Sequence, residues 1–226
     1  MPIQIITVPL SISNAYLLLG DRPVLVDAGA PKDGDQLVAA LRQHGVSPKD
    51  LSLIALTHGH TDHTGAVAAA AAGGAPVAIG AADALLLRDG ANGVLPPTGP
   101  AGLMLRPLVR RTTFTGFTPQ IELHGPQRLD DYGIGAEIFP AGGHTPGSYV
   151  VLLDDGDAIV GDLIRGGFAS GRVRPGYPLR HFFTEDRRSN RAAVQRVLDR
   201  DPSRIFVGHG GPLAATDVRR RFDAIT

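Results

Sequence analysis

Short apolar runs rich in Val, Ile and Leu recur along the chain, at residues 3–8, 15–19, 24–26, 51–56, 77–79, 134–139, 149–153, 158–160 and 205–207. Short for helices and flanked by Gly, Pro and Asp, they read as strands. Turn-sized gaps at 9–14 and 20–23 separate the first three, which predicts an opening antiparallel meander. Helical spacing appears between later runs. Residues 33–44 carry Leu37, Leu41 and His44 at i, i+4 and i+7 and stop at Gly45. Residues 64–72 are Ala-rich and stop at Gly73 and Gly74, and residues 187–198, with Thr184 as the expected cap, place Val194, Val197 and Leu198 on one face. Hairpins first and strand–helix alternation afterwards predict an α/β (α+β) architecture with helices packed outside mixed sheets.

Residues 81–120 break this rhythm. LPPTGP at 95–100 interrupts them, and an amphipathic stretch at 103–117 sets Arg106, Arg110 and Arg111 among Leu, Val and Phe. This reads as an insertion with one or two short helices inside a single domain spanning 1–226. Its apolar residues are expected to pack on the main body, with Leu103 and Met104 as candidates for a substrate lid or a homodimer surface.

The composition is globular and turn-rich: 43% hydrophobic and 19% charged residues, 29 Gly and 18 Pro in 226 residues, enough for a substantial core. Lys+Arg and Asp+Glu are 22 each, so the formal net charge is zero and nucleic acid is not the expected partner. No run approaches the roughly 18 apolar residues of a membrane span. The first 20 residues lack the basic and small-residue marks of a signal peptide. A cytoplasmic protein with a small-molecule substrate is the expectation. The chain has no Cys and eight His. Disulfide frameworks, zinc ribbons, iron–sulfur clusters and thiol nucleophiles are thereby excluded, and any metal chemistry must use His and carboxylates.

Residues 57–65 read THGHTDHTG, placing His58, His60, Asp62 and His63 within six positions at a strand end and a helix start. At this chain's own His and Asp frequencies, a chance HxHxDH arises on the order of one time in a thousand. A polar turn with a capping aspartate accounts for Asp62 but not for three histidines. Matching partners lie further on: His144 in AGGHTPGS, Asp162 after the 158–161 stretch and His209 after 205–208. Each sits beside Gly at a strand terminus, where backbone can approach a site closely. Together they complete a two-metal set. His and carboxylate donors without sulfur favour zinc and are compatible with iron or manganese. Two divalent ions about 3.5–4 Å apart can share a hydroxide that forms near neutral pH and attacks an electrophilic carbonyl.

With these motifs the chain resembles the metallo-β-lactamase superfamily, in order from Asp27 to His209. The resemblance implies a four-layer αββα sandwich with the metals at one sheet edge. It also implies that His58, His60 and His144 hold the first ion and Asp62, His63 and His209 the second, with Asp162 bridging. Asp27, which ends the 24–26 run, is implied to support the histidine loop by fixing imidazole orientation. Asp62 is in addition the catalytic candidate, orienting the hydroxide or passing its proton onward. His181, in the loop after Asp162 beside Arg180, Phe182 and Phe183, is a candidate substrate-pocket residue. His44 and His124 read as ordinary helix-end and surface histidines.

Within the superfamily, Asp at position 162 and the lack of Cys point away from cysteine-using class B β-lactamases. His60 stands where flavin-linked diiron reductases have Glu. RNA-processing members bring extra domains and a basic surface, and acyl-homoserine-lactone lactonases carry a Tyr shortly after the bridging Asp, where this chain has Arg165. THGHTDH, HTPGS and GDL are similar to the glyoxalase II-like branch. The departures are the 81–120 insertion and an end about 17 residues after His209, short of the helical extension with which that enzyme binds glutathione. The expectation is a dinuclear metal-dependent hydrolase of an activated acyl bond (thioester, ester or lactone), with a glutathione thioester as one candidate. The rival is a mononuclear iron oxygenase of the persulfide dioxygenase type, which uses only His58, His144 and Asp162. Lactonase or β-lactamase activity is a further alternative.

Overall fold

The computed structural model describes residues 3–226. One six-stranded sheet contains, in spatial order, β1 (Gln4–Pro9), β2 (Asn14–Leu19), β3 (Pro23–Val26), β4 (Leu53–Ala55), β5 (Val77–Gly80) and β6 (Ile121–Leu123). It is antiparallel as far as β3 and parallel from β3 onward. The second half of the chain builds β7 (Gln127–Arg128), β8 (Ala136–Pro140), β9 (Tyr149–Leu153), β10 (Ala158–Ile159), a hairpin of β11 (Arg165–Phe168) and β12 (Val173–Leu179), then β13 (Arg204–Phe206) and β14 (Leu213–Ala214). The second sheet has the order β14-β13-β10-β9-β8-β7, with β10 and β13 parallel.

Alternation along each strand sorts side chains between two faces. On the first sheet Leu17, Leu25, Ile54, Val77 and Ile79 pack outward onto helices α1 (Gly34–Gln43), α2 (Thr61–Thr64), α3 (Val67–Ala70) and α4 (Ala84–Asp89) through Leu37, Leu41, Val67 and Leu87. The alternate residues Tyr16, Leu18, Val24, Val26 and Leu53 pack inward against Ile138, Val151, Ile159 and Phe206 of the second sheet. Beyond α5 (Pro100–Val109), helices α6 (Arg187–Asp199) and α7 (Ala215–Ile225) cover the outer face of the second sheet through Val194, Val197, Leu198 and Val218. Three cores between four layers give the αββα sandwich. Both faces of each sheet are buried, which is why the strands read as continuous apolar runs.

Three local features differ from the sequence expectations. The helix expected at 64–72 is split into α2 and α3, the helical backbone being left at Ala66 (φ −103°, ψ 14°), and Gly65 beside it packs so close to Pro31 and the Thr61 carbonyl that no side chain fits. Asp186, not Thr184, caps α6, accepting from the backbone N–H groups of Arg188 and Ser189. Helix α7, rich in Arg and Asp on its exposed face, has no counterpart among the sequence expectations; it buries Ala215, Val218 and Ile225. Residues 81–120 hold α4 and α5 and connect β5 to the neighbouring parallel strand β6.

Candidate metal centre

The centre forms where loops from both sheets meet. Strand β4 delivers His58 and His60, and α2 delivers Asp62 and His63; the second sheet delivers His144 after β8, Asp162 after β10 and His209 after β13. The first loop is anchored by Asp27, which is fully buried and held in the left-handed region at φ 61°. Its Oδ1 accepts from the Thr57 N–H at 2.7 Å, and its Oδ2 accepts from the Thr57 hydroxyl at 2.8 Å and from His63 Nδ1 at 2.8 Å. Gly208 makes room for the second loop: a Cβ there would sit 2.0 Å from Asp162 Oδ1 and 2.5 Å from the His63 ring.

These contacts set the tautomers. His63 gives its Nδ1 proton to Asp27, His144 gives its own to the Phe183 carbonyl at 3.0 Å, and His209 to the Ile12 carbonyl at 2.6 Å. The Thr57 hydroxyl spends its proton on Asp27, so its oxygen accepts from His58 Nδ1 at 3.1 Å. The Nε2 atoms of His58 and His144 are therefore bare lone pairs, and the Nε2 atoms of His58, His63, His144 and His209 all turn toward one carboxylate oxygen. Asp162 Oδ2 lies 3.9, 3.4, 3.8 and 3.3 Å from them respectively. Two ligands of one tetrahedral ion, each at about 2.0–2.2 Å, stand about 3.3 Å apart. His60 Nδ1 faces His144 Nε2 at 2.9 Å.

The Nε2 atoms of His58, His60 and His63 and the Oδ1 of Asp162 are buried without a hydrogen-bond partner. A cation among them would satisfy these buried, crowded atoms. One ligand atom from each of His58, His60 and His144 falls within 4.8 Å of the others, and the same holds for Asp62, His63, Asp162 and His209. The donor set fits two divalent ions.

Titration behaviour divides along the same line. Burial holds His58 and His144 well below the usual imidazole range and His60 at about 4. Burial acts the same way on His63 and His209, but Asp162 together with Asp27 or Asp62 outweighs it, raising His63 strongly and His209 to about 10. Asp62 is pushed up by burial yet held well below the carboxylate range by His63 and His209. Without metal, protons occupy the carboxylate-rich side; metal binding releases them.

A family model described as Metallo-beta-lactamase superfamily matches residues 8–209. The chain belongs to the metallo-beta-lactamase superfamily. "Uncharacterized protein YobT" of Bacillus subtilis (strain 168) is 32% identical over 218 residues, covering 92% of this chain and 87% of that protein. A hydroxyacylglutathione hydrolase of Anaeromyxobacter dehalogenans (strain 2CP-C) is 33% identical over 150 residues, 66% of this chain, and the match spans only 45% of that protein. The crystal structure of TTHA1623 in a di-iron-bound form superposes with a TM-score of 0.64 at 28% identity, covering 96% of this chain and 97% of that one. As a superfamily member, the chain carries a His/Asp cluster that could bind metal in the manner of a metal-dependent hydrolase.

The superfamily centre opens into a cavity of about 300 Å³ whose floor includes His60, Asp62, Asp162 and His209 and whose walls include Leu95, Leu105, Leu108, Val109, Phe182 and Phe183. Leu103 and Met104 do not line it. From α5 it is Leu105, Leu108 and Val109 that line it, so the expected pocket role moves to these three, while Leu103 and Met104 are 62% and 81% exposed. His181 is buried and does reach the cavity.

Two residues that the sequence did not single out hold the loops together. Asp83, fully buried, accepts from the Gly59 N–H at 2.8 Å, the Gly147 N–H at 2.8 Å and the Thr145 hydroxyl at 2.6 Å, tying the His58 loop to the His144 loop. Asn92 accepts from the Thr61 N–H at 2.8 Å and donates to the Val109 carbonyl at 2.7 Å, linking α2 to the end of α5. In the sequence both look like turn residues in Ala- and Gly-rich surroundings, and no local signal separates them from ordinary caps.

Proposed function

We infer that this protein is a metal-dependent hydrolase that cleaves an activated acyl bond, a thioester, ester or lactone, in a small molecule with an apolar acyl portion. The observation that carries this reading is the apolar cavity opening directly onto the His/Asp cluster. Leucine, valine and phenylalanine side chains line much of it, so a substrate would bury a hydrocarbon part against Leu105, Val109 and Phe182 with its polar carbonyl at the cluster. Arg165 stacks on Phe182 with its guanidinium carbon 4.1 Å from the ring centroid, leaving one cation at the cavity wall for a negative substrate group.

His58, His60 and His144 would hold one divalent ion and Asp62, His63 and His209 the other, with Asp162 between them; zinc is favoured, and iron or manganese suits the same donors. Ions bound there lower the pKa of water toward neutrality and polarise a carbonyl oxygen. Asp62, 21% exposed at its side chain, faces the cavity as an ionised carboxylate, and we assign it the orientation of the attacking water and the receipt of its proton. Asp27 and Asp83 act by holding the loops.

The mononuclear iron oxygenase reading needs only His58, His144 and Asp162 and leaves His60, Asp62, His63 and His209 without a task. A glutathione thioester stays within the proposed class, in keeping with the hydroxyacylglutathione hydrolase relative. The deciding experiment is metal analysis of protein purified without added metal, followed by a panel of thioesters, lactones, β-lactams and phosphoesters. Two metal equivalents with thioester or lactone hydrolysis are expected; one iron with oxygen consumption on a persulfide would overturn the hydrolase reading. No helix among the described residues is long and apolar enough to cross a membrane. A cytoplasmic setting is part of the proposal, testable by fractionation.

A further inference from the structure

His181 does not belong to the seven-donor set, yet it is built into the centre as firmly as the residues that do. It is 5% exposed, and its Nε2 lies 3.1 Å from Asp162 Oδ2, closer than the Nε2 of His58, His63, His144 or His209. Its ligand atom falls within 4.8 Å of those of His144 and Asp162. We propose that His181 is an additional metal ligand, binding through Nε2 beside Asp162 and His144. The proposal rests on the metal-centre reading above and adds a residue to it.

Three observations carry it. First, one backbone carbonyl serves two imidazoles. The Phe183 oxygen lies 3.0 Å from His144 Nδ1 and 3.1 Å from His181 Nδ1, while also accepting from the Thr184 hydroxyl. His181 is thus oriented in the way His144 is, with a carbonyl on Nδ1 and Nε2 turned to the carboxylate, the arrangement that fixes a ligating imidazole. Second, the 3.1 Å between Nε2 and Oδ2 is close to the spacing of two ligands on one small ion, about 3.3 Å for bonds of 2.0–2.2 Å. Third, the loop is clamped from outside. The Thr98 hydroxyl donates to the His181 carbonyl, the Thr98 N–H donates to the Phe182 carbonyl at 2.9 Å, and the Thr184 N–H donates to the Pro96 carbonyl at 3.1 Å. The ring is pressed into the cluster, face to face with His209 at 5.5 Å between centroids and 24° between planes.

The competing arrangement is a hydrogen bond. The Phe183 N–H also approaches His181 Nδ1, at 3.3 Å; if Nδ1 accepts it, Nε2 carries the proton and donates to Asp162. The two arrangements differ in whether His181 senses the metal directly.

Cobalt(II) loading of metal-free protein distinguishes them. In water, each cobalt-bound imidazole with an exchangeable ring N–H gives a strongly shifted proton NMR resonance. Six such resonances are expected in the wild type, one of which is lost in His181→Gln together with at least about 10-fold weaker binding of one cobalt ion in chelator competition. His44→Gln, away from the centre, should change neither. Five resonances in the wild type, or an unchanged count and affinity in folded His181→Gln, would overturn the proposal while leaving the seven-donor centre standing. Failure of the wild type to bind cobalt at all would overturn the metal-centre reading and this inference with it. The wild-type count decides the matter even where the variant folds poorly.

Discussion

Asp27 Oδ2 and His63 Nδ1 stand 2.8 Å apart in a wholly buried pair, and the same oxygen receives the Thr57 hydroxyl. The carboxylate thus dictates which nitrogen of His63 is turned to the centre. Asn tolerates the left-handed backbone at this position, so Asp27→Asn should fold. Its amide can present a donor to Nδ1, shifting the His63 proton to Nε2 and blocking ligation. Metal affinity is expected to fall about 10–100-fold, measurable by competition with a chromophoric chelator, and the metal-free protein is expected to lose about 1–3 kcal/mol because the amide turns a donor against one of three buried donors.

Removal of metal should lower stability. A ligand that binds only the folded chain contributes about 2.7 kcal/mol at one hundred times its Kd. Melting curves with and without chelator are expected to differ by several degrees, and the difference should shrink in Asp162→Asn. Equal melting temperatures for loaded and metal-free wild type would count against two tightly held ions.

The metal-free protein should be most stable near pH 6.5. Burial places His60 and His181 at about 4, below their ordinary 6.5, so as pH falls through this window the unfolded chain takes protons that the fold refuses, and stability is lost. His209, despite burial, is held at about 10 by Asp162 and Asp62; its contribution is complete below pH 6.5 and disappears as pH rises through 10. Urea titrations of chelated protein between pH 4 and 10 should therefore trace a bell. A flat profile would contradict the titration pattern of the cluster.

Asp83→Asn tests the bridge between the two histidine loops. Three donors converge on the Asp83 carboxylate, and an amide nitrogen would turn a donor against one of them. A loss of about 1–3 kcal/mol is expected in denaturant unfolding, accompanied by weaker metal binding. Burial raises the Asp83 pKa, outweighing the hydrogen bonds that lower it; its contribution to stability is therefore full below the ordinary carboxylate value of 3.8 and is lost as pH rises from there through the raised one, a dependence the Asn variant lacks.

On α5, Leu105→Ala should lower kcat/KM for a long apolar substrate by about 10-fold relative to a short one. Met104→Ala, on the exposed side of the same helix, should leave the ratio unchanged. The opposite ranking would show that the cavity is not where the acyl group goes.

The sequence already displayed the donors because chemistry restricts them: His and Asp at strand ends beside Gly have few other uses in such density. Strand runs were legible for a related reason, since sheets buried on both faces leave long apolar stretches. What stayed hidden depends on tertiary contact. Asp83 and Asn92 look like turn residues until the loops they join are seen together, and His181 looks like a loop histidine until the Phe183 carbonyl turns it inward. Leu103 and Met104 were adjacent to the right residues in sequence but do not line the cavity.

The donors reach the centre from two separate stretches of chain: His58, His60, Asp62 and His63 from the first sheet, and His144, Asp162 and His209 from the second. Neither stretch carries the full set. Ions held by the complete set would act as a clasp that closes only when both sheets stand face to face, so binding of the full metal complement would read out that the two halves have docked.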